Sequence, residues 1–285
     1  MKKICIILLM IGSFCVLFSC KERGNASDQL AKQVLGDMVK IPGGTFTMGT
    51  DNIKYADFYG SNQHPHKVTL SSFYIDSFML TGSQLISFYK LIGISGGEFL
   101  KNTELFGGAR AGIVTYKVAD KFCIWMSKKT DLPFDLPTEA QWMYAASDQG
   151  KLKVSTNSGF VELGKNFPGS QVDFVPSINQ YPPNPLGVYM MSGAEKQWTQ
   201  DWYSDSYYWV SPKKDPKGPK SGLSKVLVGS DFRMEKGKST TEITNNNNIY
   251  LRVPGPVQEG ARAAVRCVIN TSGPIYPNKL MQASV

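Results

Sequence analysis

Leu136-Pro137-Thr138-Glu139-Ala140-Gln141-Trp142 lies near the middle of the chain. Thr138 followed at the third position by Gln141 has the form of a capping box: the hydroxyl takes the Gln141 backbone N–H and the amide reaches back. Trp142, Tyr144 and Ala145 then read as one helix. The device recurs at Thr81 and Gln84, ahead of Leu85, Phe88, Tyr89 and Ile92, an amphipathic helix. Outward from these, Val68, Leu70, Phe73, Ile75 and Phe78 suggest a strand whose alternation breaks at Ser71 and Ser72. Gly43, Gly44 and Gly49 punctuate a first hairpin. Val118, Phe122, Trp125 and Met126 follow a helical period that sets Cys123 beside a buried face, and Ala264 to Val268 reads as a strand holding Cys267.

The N-terminus limits where the protein works. Lys2 and Lys3 precede an apolar run, Ile4 to Phe18, too short to span a bilayer comfortably and ending in Leu17-Phe18-Ser19-Cys20. Residues 1–19 read as a signal peptide closed by a lipobox, with Cys20 acylated as the mature N-terminus. An uncleaved anchor is the alternative. Lys21 in place of Asp favours the outer membrane of a bacterial cell envelope. Residues 20–36 are polar without an apolar period, which suits a flexible tether. One domain is expected over 37–270, followed by a tail, 271–285.

The formal net charge is +8. Beyond the leader the positive residues gather at Lys213, Lys214, Lys217, Lys220 and Lys225 among Pro and Gly, a solvated loop. No aromatic residues interleave with them for base stacking, so no nucleic-acid partner is expected. Of five cysteines, Cys5, Cys15 and Cys20 belong to leader and lipobox. Cys123 and Cys267 remain, an even pair that in an exported chain invites a disulfide, with two buried thiols as the alternative. His64 and His66 are the only histidines, separated by Pro65 and without a nearby third ligand. They make neither a Ser-His-Asp triad nor a three-histidine iron site.

Taken in order, Met38-Val39-Lys40-Ile41-Pro42-Gly43-Gly44-Thr45-Phe46-Thr47-Met48-Gly49, the Leu136 to Trp142 block, Gly187-Val188-Tyr189 and Trp198-Thr199-Gln200-Asp201-Trp202 resemble the formylglycine-generating (sulfatase-modifying factor) family. The resemblance implies an α+β, C-type-lectin-like fold, irregular, with short strands and two main helices. It also implies a Cys123–Cys267 disulfide tying the central helix to the closing strand. In the family's oxidases a Gly-Gly-Ser strand leads to two cysteines that hold monovalent copper, which soft thiolates suit. Here the matching stretch is Val226-Leu227-Val228-Gly229-Ser230-Asp231-Phe232, and Arg233 to Lys238 contains no Cys. Catalytic residues are therefore expected to be absent and copper is disfavoured. The family's calcium block is altered as well: Ser192-Gly193-Ala194-Glu195-Lys196-Gln197 leaves a neutral Gln197 where a carboxylate would stand. No cofactor is expected, with calcium at a vestigial Gly193, Glu195, Gln197 site as the exception. The family's other calcium site falls near Asn166 to Phe174, where Asp173 is a candidate donor, but the spacing does not match well enough to assign its ligands.

Three functions stand: a non-catalytic envelope lipoprotein that binds a protein or glycan, an oxidase of the formylglycine-generating type, and a structural subunit of an envelope machine. For the first, the binding surface is expected on Arg233, Lys238, Asn246, Asn247, Tyr250 and Arg252, joined by Trp202, Tyr207, Tyr208 and Trp209. For the Thr/Asn-rich part of it, a solvated insertion is the alternative.

Overall fold

The computed structural model describes residues 24–52, 63–95, 108–169, 176–230, 238–258 and 260–275. Its first element overturns the expected tether. Residues 24–36 form helix α1, and Leu30, Ala31, Val34 and Leu35 are buried in the same core cluster as Phe88, Phe122 and Met126. Asp28 pairs with Lys129 at 2.5 Å. A stripe of two turns is too short to stand out in a polar segment, yet it suffices once a neighbouring helix supplies the opposing face.

Strands β1 (Met38–Ile41), β2 (Gly44–Met48), β3 (His66–Leu70) and β4 (Phe73–Asp76) follow. The first antiparallel pair of consecutive strands is β2 with β3, whereas β1 pairs with β4. Gly43 explains the detour. A Cβ there would lie 2.6 Å from the Leu70 carbonyl oxygen and 2.8 Å from the Ser72 nitrogen, so the chain passes closely over the Ser71–Ser72 corner, where Gly43 N–H donates to Ser72 Oγ. The break between β3 and β4 falls at Ser71 and Ser72, as the alternation implied.

Both capping boxes are present: Thr81 starts α2 (Gly82–Leu91) and Thr138 starts α4 (Glu139–Ala146). Between them β5 (Val114–Thr115) runs into α3 (Tyr116–Thr130), and β6 (Phe134–Asp135) precedes α4. After a long irregular stretch come β7 (Gln197–Trp202), α5 (Tyr207–Val210) and β8 (Ser224–Val228). Helix α6 (Thr240–Asn246), then β9 (Arg252–Pro256), β10 (Arg262–Ala263) and β11 (Val268–Ile269) complete the described chain. The sheets are small: β1-β4-β11-β6, β7-β8-β9, β2-β3 and β10-β5. This is the expected irregular α+β fold with short strands, and shorter helices accompany the main ones.

Two core clusters meet across these sheets. One gathers α1, α2 and α3 around Phe88, Phe122 and Trp198. The other packs α4 against β2 and β3 around Phe46, Val68, Trp142 and Tyr144. Cys123 of α3 is joined to Cys267, beside β11, with Cα atoms 5.8 Å apart. Two further expectations change here. The Thr/Asn-rich segment is neither loop nor solvated insertion: Ser239 and Glu242 cap α6 reciprocally and Ile243 is buried. Lys225, expected in a solvated loop, is buried on β8 with its ammonium 3.8 Å from the Trp202 ring centroid and 4.8 Å from that of Tyr116.

Candidate functional site

The altered calcium block ends at the start of β7. Gln197 Oε1 accepts from Trp142 Nε1 at 3.0 Å and from Arg266 Nε at 2.8 Å. The rest of the Arg266 guanidinium donates to the carbonyls of Asp76 and Ser77, each at 2.8 Å, and to that of Tyr189. N–H groups converge on the amide oxygen from two sides, and a cation there would meet donors where it needs acceptors. Gly193 is packed against the Phe167 ring with φ +74°, and its N–H donates to Ser230 Oγ. Glu195 is buried. Among the described residues no group of three or more His, Cys, Asp or Glu side chains is arranged to hold a metal. Asp173 and Arg233 lie outside the described residues, as does the 233–237 stretch opposite the family's copper cysteines.

Burial dominates the titration of this hub. The Asp76 carboxyl, which accepts the Cys267 N–H at 2.8 Å, is pushed up to about 7, and burial pushes Arg266 down to about 9 against the pull of Asp76.

The expected binding surface divides sharply. Glu139, the first residue of α4, takes Arg252 Nε on Oε1 at 2.5 Å and Nη2 on Oε2 at 3.3 Å, while Tyr208 Oη donates to Oε1 at 2.8 Å. The guanidinium also lies 4.6 Å from the Tyr203 ring centroid and 4.9 Å from that of Tyr208. Although burial opposes its charge, Glu139 holds Arg252 above its ordinary value. Asp201 Oδ2 accepts the Glu139 backbone N–H at 3.0 Å, and burial together with the Glu139 charge pushes its carboxyl up to about 8. Tyr207 is buried and its hydroxyl accepts from the Gly218 N–H. Asn247 is buried, donating to the Ile243 carbonyl at the end of α6.

Tyr207, Tyr208, Asn247 and Arg252 are therefore interior residues and not a recognition surface, a correction that follows from Arg252 needing a carboxylate once buried. Trp202, Lys238 and Tyr250 are half-buried. Among the described members of that surface, only Asn246 and Trp209 are exposed; Trp209 is 57% accessible and stacks on His64 with centroids 3.7 Å apart. Sequence reading missed Glu139 as the anchor of this network. An acidic residue just after the Thr138 cap reads as ordinary favourable charge at a helix N-terminus.

With this geometry in hand, a family model for the sulfatase-modifying factor enzyme 1-like domain matches residues 24–271. The chain belongs to this family. The match begins with α1, in agreement with the helix being part of the domain. The formylglycine-generating enzyme of Streptomyces coelicolor is 24% identical over 75% of this chain and 87% of that enzyme. The serine/threonine-protein kinase pkn1 of Chlamydia pneumoniae is 28% identical over 83% of this chain. The chain spans only 38% of that kinase's length. Among solved structures, PvdO from Pseudomonas aeruginosa superposes with a TM-score of 0.63 at 19% identity, covering 82% of this chain and 94% of PvdO. Treponema denticola variable protein 1 gives 0.64 at 21%, covering 82% and 95%. Both share the fold.

Proposed function

We propose that this is a lipid-anchored bacterial envelope protein, of the outer membrane, whose formylglycine-generating-type domain performs no oxidation and serves to bind a protein or glycan partner. One observation carries the reading: outside the leader and Cys20 the chain has two cysteines, and they are joined to each other. Monovalent copper in this family's chemistry needs a pair of thiolates, and none is left. Gln197 adds support, since its oxygen serves Trp142 and Arg266 as acceptor. Attachment in this reading is through a lipid on Cys20.

The test is oxygen uptake with a sulfatase-type cysteine peptide during monovalent copper titration. No stoichiometric copper binding and no peptide oxidation are expected. Turnover, in the wild type or in a Cys123→Ser/Cys267→Ser variant, would contradict the reading. Cys20→Ala should release the protein from membranes, and a variant that stays bound would remove the anchor. Crosslinking in the envelope then separates a free binder from a machine subunit, which would give one complex of fixed stoichiometry.

A further inference from the structure

A cavity of about 430 Å³ opens between the β3–β4 corner, the N-terminus of α4, the middle of β7 and the chain after β11. Its volume is in the range of small-molecule sites. None of Gln197, Arg266, Glu139 or Arg252 lines it, so it is separate from the networks above.

Its walls are held from behind. Ser71 donates through its backbone N–H and its hydroxyl to the two oxygens of Asp215, at 2.7 and 2.8 Å. The segment bearing Asp215 is pinned along β3, with Thr69 N–H donating to the Lys213 carbonyl at 2.7 Å and Asp215 N–H to the Thr69 carbonyl at 3.0 Å. Gln141 Nε2 donates to Asn270 Oδ1 at 2.8 Å, and Gln200 Nε2 to the Leu136 carbonyl at 3.0 Å. Each bond fixes one end of an amide and leaves the other. Among the described residues, Asn270 Nδ2 and Gln200 Oε1 have no protein partner, and Lys217 is exposed at the rim. Leu70, Phe73 and Pro216 back the wall but are themselves buried. Preorganised walls of this kind lose little freedom on binding.

The leftover groups define the ligand. A fixed amide donor, a fixed amide acceptor and a carboxylate with spare lone pairs suit hydroxyls, which donate and accept at once. A charged ligand fits poorly: each Asp215 oxygen already accepts one bond from Ser71 and Lys217 is exposed, so no desolvated charge is left to select an ion, while the second lone pair on each oxygen can still take a hydroxyl. We propose that this cavity binds a neutral saccharide unit. The assignment narrows the partner-binding reading to a glycan at a named place and rests on that reading.

The test uses the full-length protein in a detergent without a sugar headgroup. Glucose, galactose, mannose and N-acetylglucosamine are titrated to millimolar concentration and followed by saturation-transfer NMR. At least one should bind. Asn270→Asp keeps the oxygen that Gln141 needs and removes the free donor, and should weaken binding about tenfold. Ser272→Trp obstructs the cavity from an exposed position and should abolish binding with thermal unfolding unchanged. Absence of binding by all four sugars, or binding that both folded variants retain at full strength, would overturn the proposal. Either failure would leave the non-catalytic reading intact, since oxygen uptake decides that separately.

Discussion

Arg252 and Glu139 are each only 1% accessible at the side chain, and at that depth an ion pair is held by completeness of its bonding more than by net Coulomb gain. Arg252→Met strands a buried carboxylate and should cost about 3–5 kcal/mol, read from urea denaturation. The Glu139→Leu/Arg252→Met double variant should regain most of that loss. A single variant as stable as wild type would show that the pair is not closed. The sequence hides this partnership: Pro254, Gly255 and Pro256 make Arg252 look like a loop residue, and its partner is 113 positions away. Asp201 offers a second test. Its carboxyl lies above its ordinary value, at about 8, so the folded state keeps a proton that the unfolded chain releases near pH 4. Its stabilising contribution is full below about pH 4 and is lost as pH rises through about 8, by up to about 1.4 kcal/mol per pH unit. Asp76, raised in the same direction, adds to that slope. Asp201→Asn should flatten the fall in unfolding free energy between about pH 5 and pH 8, and an unchanged profile would contradict the shift.

At the scale of elements, α1 shows what periodicity alone leaves open. Leu30, Val34 and Leu35 form a stripe two turns long, too brief to mark a helix in a polar stretch, and its meaning comes from the α2 and α3 residues that cover it. Leu30→Ala should cost about 2–5 kcal/mol in chemical denaturation. A neutral result would return residues 24–36 to a tether. Where a local signal existed, it worked: the Thr81 and Thr138 boxes placed α2 and α4. Ser239 and Glu242 carry the same signal for α6, masked by the asparagine run after it. Strand pairing was less legible. Gly43 reads as a turn residue in sequence, but its role is close passage over Ser72, which no neighbouring residue announces.

For the whole molecule, the ordered landmarks carried the fold, while the cavity beside Asn270 stayed invisible because five separate chain segments build it. The Cys123–Cys267 link closes a separation of 144 residues. Removing it by Cys123→Ala/Cys267→Ala should cost about 2–5 kcal/mol, mainly by freeing the unfolded chain. A variant with unaltered denaturation midpoint would deny it that role. The proposed lack of oxidation rests on this link as well, because beyond residue 20 the chain has two cysteines and they are spent on each other, leaving no thiolate pair for copper. The most direct measurement is a thiol titration of the mature, membrane-extracted protein, denatured without reductant. No reactive thiol is expected, with Cys20 blocked by its proposed lipid and Cys123 joined to Cys267. Two titratable thiols per chain would contradict it and reopen the oxidase.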